Sequence, residues 1–152
     1  MKKNILFSIA ILSLFFGSCS PSKTTTASKT PFVWENANVY FLLIDRFNNG
    51  DKTNDQNYNR NKTTGKLRGF EGGDIRGVIQ KLDEGYFEKL GITAIWMTSV
   101  VEQIHDGVDE GTGYSYGFHG YWARDWTSLD PSFGTKKDLA ELVQKAHIKE
   151  FE

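Results

Sequence analysis

Two continuous apolar runs, each followed by a long polar stretch, organise the chain after residue 31. Residues 39–44 read VYFLLI, and residues 92–97 read ITAIWM. Six mostly apolar residues without alternation predict a strand that is buried on both faces, as in a parallel sheet. The polar stretches, 45–74 and 98–134, are both predicted to be long loops, and long loops inside a compact domain are usually functional or disordered.

Helical periodicity separates the two runs and returns after the second. Apolar residues recur at steps of three and four between positions 75 and 90, which predicts one helical face. Its members are Ile75, Val78, Ile79, Leu82, Tyr86 and Leu90. Gly77 and Gly85 weaken this helix by about 1 kcal/mol each relative to Ala, and Gly91 lies where a C-cap is expected. Thr135 and Asp138 resemble a capping box and predict a second helix. Its apolar face would comprise Leu139, Leu142, Val143 and Ala146.

The order of elements is therefore strand, loop, helix, twice over. Parallel strands joined by crossover helices indicate an α/β fold. Both long loops follow a strand, so both are expected at the carboxyl edge of the sheet. Barrels and open α/β sheets build their sites at that edge.

The first 31 residues predict export rather than fold. Residues 1–18 have the charged, apolar and small-residue regions of a signal peptide. The segment ending in LFFGSC resembles a lipobox, which predicts lipidation of Cys19 and a bacterial lipoprotein anchored to a membrane, in the periplasm or at the cell surface. The alternative is an ordinary cleaved signal with an incidental cysteine. Residues 19–31 would be a flexible tether and residues 32–152 the globular part.

Composition excludes several classes of protein. The chain is 39% hydrophobic and 14% aromatic, unlike a charge-rich disordered chain. Its net charge of −1 implies no basic face, so nucleic acid is not an expected partner. Neither a dinucleotide fingerprint nor a phosphate-binding P-loop occurs, and the spacing of a zinc site is missing.

Two segments could carry function. Residues 48–55, NNGDKTND, concentrate the oxygen donors that calcium prefers, although a solvated turn rich in Asn and Asp is the alternative. An EF-hand does not fit, because Arg60 stands where the bidentate Glu is needed. Residues 114–126, YSYGFHGYWARDW, hold rings that could fill a core or could form a flat wall for a sugar. Gly117 and Gly120 interrupt regular structure there and favour the wall.

Three blocks carry a family resemblance: YFLLIDRFNNGDKTND, then GGDIRGVIQKLDEGYFEKLGITAIWMTSV, then HGYWARDW followed by DPSFGTKKDLAELVQKAH. From about Val39 to His147 the chain resembles the start of the catalytic barrel of the α-amylase family, glycoside hydrolase family 13. The resemblance is greatest to cyclodextrin glucanotransferases and calcium-dependent amylases. It implies a partial TIM (β/α)8 barrel, about its first two strand–helix units, and retaining action on α-1,4-glucans such as starch and maltodextrins.

The resemblance also implies residue roles. The calcium ligands would be Asn49, Asp51, Asn54, Asp55, the carbonyl of Gly72, and Asp74. His119, Tyr121 and Trp122 would line the sugar subsite on the non-reducing side of the cleaved bond. Asp45 and Arg46 would brace the loop after the first strand, and Arg124 and Asp125 would be structural.

No residue present matches a catalytic one. A retaining glycosidase needs two carboxyl groups about 5 Å apart, and in this family they follow the fourth and fifth strands. Residues 32–152 are therefore expected to be a truncated N-terminal part of the barrel and to be inactive by themselves. The alternative is a non-catalytic lipoprotein that binds glucans through the same aromatic residues.

Overall fold

The computed structural model describes residues 31–152. The predicted signal peptide, Cys19 and nearly all of the tether lie outside the described residues. Residues 32–152 form one unit. No helix in this described part is long and apolar enough to cross a membrane.

Within the described residues, one strand is followed by three α-helices, then by five short strands and a last α-helix. In order the elements are β1 (Val39–Leu42), α1 (Ile44–Phe47), α2 (Ile75–Asp83), α3 (Tyr86–Lys89), β2 (Ala94–Met97), β3 (Val101–Gln103), β4 (Val108–Asp109), β5 (Tyr114–Ser115), β6 (Ala123–Leu129) and α4 (Lys136–Ile148). β1 pairs with β2 in parallel, with Val39 opposite Ala94 and Leu42 opposite Met97. This confirms the predicted parallel strands, although each is shorter than its apolar run.

The predicted burial of both strand faces is wrong. Leu42 is buried and Tyr40 packs against the helical core. Val39, Phe41 and Trp96 point the other way and are 46%, 53% and 65% exposed. Successive side chains of a strand face opposite sides, and the helices of the described residues cover only one side. The apolar runs therefore belong to a sheet whose second face is open here.

The single helical face between residues 75 and 90 is divided between two helices. Gly85 has φ of +70° and separates α2 from α3, because this left-handed conformation cannot continue a helix. Gly91, with φ of +69°, follows α3 as predicted. The core between these helices and the sheet is apolar. Its buried members are Leu42, Ile44, Ile75, Val78, Ile79, Leu82, Phe87, Phe133, Leu142 and Phe151.

Residues 98–134 are not the continuous loop that the sequence predicts. β3 pairs with β6, and β4 pairs with β5, both antiparallel. The register between β3 and β6 shifts on either side of Glu102. These irregularities hide the alternation of period two that would reveal strands. The earlier stretch, 45–74, is also partly ordered, by α1 and a 3-10 turn at Lys52–Asn54.

The last helix begins as predicted and the chain then turns back to the sheet. Thr135 and Asp138 exchange the hydrogen bonds of a capping box. The predicted apolar face is right in part: Leu142 is buried but Val143 is 45% exposed. Beyond α4, Glu152 receives and donates backbone hydrogen bonds at the edge of β2, with Ile95 N (2.9 Å) and Thr93 O (3.1 Å). The final residues thus lie alongside β2.

Candidate functional site

Asp45 follows β1 and is almost fully buried, at 1% exposure. Its carboxylate accepts hydrogen bonds from the backbone N–H groups of Glu71 (3.0 Å) and Gly72 (3.3 Å), and the guanidinium of Arg46 lies 3.2 Å away. Burial raises the pKa of Asp45 to about 6 despite these partners. A raised carboxyl pKa resembles that of a general acid, but this carboxyl is closed off from any substrate. Asp45 therefore braces the loop, as predicted.

Arg46 ties this brace to the aromatic segment. It donates to the carbonyl oxygens of Leu67 (2.8 Å) and Gly69 (2.9 Å). The carbon of its guanidinium also lies 4.0 Å from the centroid of the Phe118 ring. A cation over a ring face is attracted to it. One side chain thus joins the first long loop to the residue before His119.

The oxygen-rich loop contains buried acceptors without a donor. The amide oxygens Oδ1 of Asn49 and Asn54 are buried and make no hydrogen bond. Asn49 Nδ2 donates to Asp55 Oδ1 at 2.8 Å. A Cβ on Gly72 would lie 2.3 Å from Asn49 Nδ2 and 2.6 Å from Asp55 Oδ1, so the Gly72 backbone adjoins the pair. Buried oxygens without partners are costly, and a hard cation would satisfy them.

Asp74, just before α2, accepts hydrogen bonds from this loop. Its Oδ1 accepts from Gly50 N (3.1 Å) and Gly77 N (2.6 Å), and its Oδ2 accepts from Asp51 N (2.8 Å) and Asn54 Nδ2 (3.0 Å). The same carboxylate is the N-cap of α2. Both oxygens are therefore engaged, and this geometry orients the loop.

The fit to calcium depends mainly on amide and carbonyl oxygens, with Asp55 as the carboxylate among them. In residues 31–152 no group of three His, Cys, Asp or Glu side chains is arranged to hold a metal. Asp51 Oδ1 accepts from Thr53 Oγ1 (2.6 Å) and N (2.9 Å), and the Thr53 hydroxyl is the main cause of the lowered pKa of Asp51. Of the predicted ligands, Asn49, Asp55 and the Gly72 backbone come together, and Asn54 Oδ1 is a buried acceptor of the same loop. Calcium at this loop stays a prediction.

His119, Tyr121 and Trp122 form a second group, the aromatic cluster. The ring of His119 lies 5.6 Å from that of Tyr121 at an interplanar angle of 18°, and 4.8 Å from that of Trp122 at 88°. Tyr121 is 66% exposed. A core ring would be buried, so the exposure of Tyr121 favours the alternative of a flat wall.

The protonation of His119 follows from its contacts. Tyr121 N donates to His119 Nδ1 at 3.0 Å, so Nδ1 is the acceptor nitrogen and Nε2 carries the proton of the neutral ring. Partial burial lowers the pKa of His119. The imidazole is therefore neutral at pH 7 and its Nε2–H is a hydrogen-bond donor.

Gly120 makes the turn between these rings possible. It has φ of +85°, and a Cβ there would lie 2.4 Å from Ser99 O. Only glycine combines that conformation with that approach. Because Ser99 lies two residues after the end of β2, the aromatic cluster lies near the carboxyl end of the strand, where the sequence predicts a site.

A model of the family described as "Alpha amylase, catalytic domain" matches residues 41–152. The chain belongs to the α-amylase family. The family assignment agrees with the sequence motifs that predicted it. Solved structures similar to this chain are TIM-barrel amylases, and the chain matches part of that barrel. No closed barrel forms within the described residues.

Relatives in the α-amylase family are much longer than this chain. The periplasmic α-amylase of Escherichia coli (strain K12) is 46% identical over 129 residues, which cover 82% of this chain and 19% of that protein. A cyclomaltodextrin glucanotransferase of Niallia circulans is 34% identical over 157 residues, covering 98% of this chain and 22% of the relative. The chain thus spans about a fifth of these relatives.

Solved structures of α-amylases and glucanotransferases also align with this chain. The γ-cyclodextrin glucanotransferase of alkalophilic Bacillus clarkii aligns with a TM-score of 0.67 at 34% identity, over 76% of this chain and 17% of that one. The α-amylase of Geobacillus thermoleovorans, solved with acarbose, aligns with a TM-score of 0.59 at 35% identity, over 80% and 22%.

Sequence reasoning missed a buried ion pair in this α-amylase-family chain. Arg60 Nη2 lies 2.6 Å from Asp130 Oδ2, and the two side chains are 3% and 0% exposed. Gln103, also fully buried, accepts one hydrogen bond from Arg60 Nη2 at its backbone oxygen (3.4 Å). Arg60 occurs in a polar loop, where nothing in the local pattern distinguishes a buried arginine from a solvated one.

Proposed function

We propose that residues 32–152 supply a calcium-binding loop and one wall of a sugar subsite to an α-amylase-type enzyme that acts on α-1,4-glucans. The observation that carries this proposal is the aromatic cluster, in which an exposed ring and a neutral imidazole adjoin a strand end. Membership in the family supports the substrate class. The proposal concerns what these residues contribute, since the relatives that act on glucans are about five times longer.

Each residue of the aromatic cluster has a distinct task in this proposal. The exposed face of Tyr121 stacks on the apolar face of a glucosyl ring. His119 donates its Nε2–H to a sugar hydroxyl, and its Nδ1 is held by Tyr121 N. Trp122 packs edge-on against His119 and limits rotation of the imidazole.

Calcium has a structural task in the proposal. When bound, the cation would supply positive charge to the oxygens of Asn49, Asn54, Asp55 and Gly72, and so join two segments of the long loop after β1. Asp74 keeps the loop in shape, because both of its oxygens receive donors from it. The resemblance to the family implies an Asp where this chain has Asn49, so one ligand charge fewer and weaker binding are expected.

Catalysis needs carboxylates that we do not assign here. Asp45, the one carboxyl in the described residues with a pKa raised to about 6, is buried behind the loop. We propose that a polypeptide limited to these residues binds glucans weakly and does not hydrolyse them. Detectable release of reducing ends from starch by the purified chain would contradict this part of the proposal.

Export belongs to the proposal as well. A relative named as a periplasmic α-amylase supports it, together with the signal-like residues 1–18. The lipid anchor at Cys19 rests on the sequence alone. Mass spectrometry of the protein from bacterial membranes would detect the acyl chains on Cys19, and their absence from a Cys19→Ala variant is the control.

Calorimetric titration with maltooligosaccharides tests the glucan surface. We expect Tyr121→Ala to remove the binding signal, because the stacked face is lost. The matched control is Trp126→Ala, since Trp126 is 75% exposed but lies on β6 outside the aromatic cluster. Equal loss in both variants, or unchanged binding in Tyr121→Ala, would refute the assignment.

A further inference from the structure

We infer that Gln103 is the positioning residue that holds the aromatic cluster in place, an inference that rests on the proposed glucan surface. Gln103 ends β3 and is fully buried. Its Oε1 accepts from Trp122 N at 2.8 Å, and its Nε2 donates to Val101 O at 2.7 Å. The side-chain amide therefore links the backbone of the aromatic cluster to the adjacent strand.

The cluster contacts Gln103 at both ends of its turn. At the near end, a Cβ on Gly117 would lie 3.0 Å from Gln103 Cβ and 3.3 Å from its Oε1. At the far end, Trp122 is bound through its N–H to Gln103 and through its carbonyl oxygen to Ile104 N at 2.9 Å. The turn that carries His119 and Tyr121 thus lies between a glycine that packs closely against Gln103 and a residue whose N–H is hydrogen-bonded to it.

The backbone of Gln103 is itself hydrogen-bonded to two buried side chains. Its backbone N–H donates to Asp130 Oδ2 at 3.0 Å, and its backbone oxygen lies 3.4 Å from Arg60 Nη2. Arg60 and Asp130 form a buried ion pair, so both partners of the Gln103 backbone are themselves held in place. The residue thus combines full burial with hydrogen bonds at its side-chain oxygen, side-chain nitrogen, backbone N–H and backbone oxygen, and such networks favour one conformation.

This arrangement assigns a task to Gln103 that differs from contact with a sugar. The residue has no exposed surface, so it cannot touch a ligand. It instead determines where the turn places the Tyr121 ring and the His119 imidazole. An error of about 1 Å in such placement weakens binding and catalysis strongly.

The test compares Gln103 variants by amide hydrogen exchange and by NMR titration of His119. Gln103→Met keeps the shape and removes both hydrogen bonds, and Gln103→Asn is too short to reach Trp122. We expect the Trp122 amide to exchange roughly tenfold faster in both, by loss of one buried hydrogen bond. The pKa of His119 should rise toward its ordinary value of 6.5 as the loosened turn admits water.

Two further variants separate positioning from general stability. In Gln103→Glu, complete burial beside the already neutralised Arg60–Asp130 pair is expected to keep the new carboxyl protonated, so it still accepts from Trp122 and donates to Val101, and protection should return. Leu82→Ala weakens the core, where Leu82 is fully buried, and should speed exchange of core amides without moving the His119 titration. Either Gln103→Met or Gln103→Asn suffices for the comparison if the other does not fold.

The inference is overturned if Trp122 exchange and the His119 titration in a folded Gln103 variant match those of the wild type. It is also overturned if exchange rises equally at all core amides, as in Leu82→Ala. Titration with maltooligosaccharides is a separate measurement. If the wild type binds none, the proposed glucan surface fails, whereas the NMR comparison still decides whether Gln103 positions the turn.

Discussion

Replacing Arg60 by Met should be among the most damaging single changes in the described residues. Arg60 and Asp130 are 3% and 0% exposed, and they are joined by two hydrogen bonds, Nη1 to Oδ1 at 3.0 Å and Nη2 to Oδ2 at 2.6 Å. The variant removes both bonds and leaves a buried carboxylate with only the backbone donors of Gln103 and Ser132. Methionine retains much of the packing against Phe70, so the loss is mainly electrostatic.

The magnitude follows from the number and type of bonds lost. A hydrogen bond to a charged group contributes about 1.5–3 kcal/mol, and removing one partner of a buried ion pair costs about 3–5 kcal/mol. The two figures overlap, so we expect the free energy of unfolding to fall by about 4 kcal/mol. With a urea dependence of about 1–3 kcal/mol per molar, the midpoint of denaturation should fall by roughly 1–4 M.

Urea denaturation monitored by tryptophan fluorescence measures this loss, and a double-mutant cycle isolates the pair. Arg60→Met, Asp130→Asn and the double variant complete the cycle, and the double variant should be less destabilised than the sum of the singles. Lys62→Met is the control, because the ion pair of Lys62 with Asp106 is 54% and 72% exposed and should matter far less. A loss below about 1 kcal/mol in Arg60→Met, or additive singles, would refute the reasoning.

The remaining predictions concern the loop after β1. The pKa of Asp45 is raised from an ordinary 3.8 to about 6, so between these values the folded chain binds more protons than the unfolded chain, and stability falls as pH rises through this window, by up to about 3 kcal/mol. Asp45→Asn should flatten this slope in urea midpoints measured from pH 4 to 7.5; a slope that persists unchanged would contradict the assignment. Gly72→Ala should abolish any rise in melting temperature on adding calcium, because its Cβ would enter the loop at φ of +92°. Gly91→Ala has similar strain at φ of +69° but open space around its Cβ, and should keep the calcium response.

The sequence predicted those features that depend on short repeating patterns. Parallel strands, the capping box at Thr135 and the glycine after α3 all follow from local chemistry. The division of the first helical face at Gly85 did not follow, because glycine inside an apolar period signals a weaker helix as readily as a break. The small antiparallel sheets were missed because their register shifts erase the alternation. The open face of β1 was missed because burial depends on what covers a strand, which its own residues do not specify.

The candidate site shows the same contrast between features set by local sequence and features set by distant parts of the chain. The residues that the proposal places against a ligand, Tyr121 and His119, could be suggested from the sequence, because they have recognisable chemistry and glycines beside them. The residues that hold them, Gln103 and Arg60, could not, because an amide or a guanidinium in a polar segment is solvated unless distant parts of the chain close over it.

Asp45 shows the opposite error, in which the chemistry of a residue suggests a catalytic role that its position does not allow. Its pKa of about 6 is the property expected of a general acid, yet its burial and its bonds to Glu71 and Gly72 make it a brace. A perturbed pKa therefore indicates a functional carboxyl only when a substrate can reach the group. On the proposal above, the described residues would contribute one wall of a sugar subsite and the residues that support it, and the tests of Tyr121 and Gln103 examine those two contributions separately.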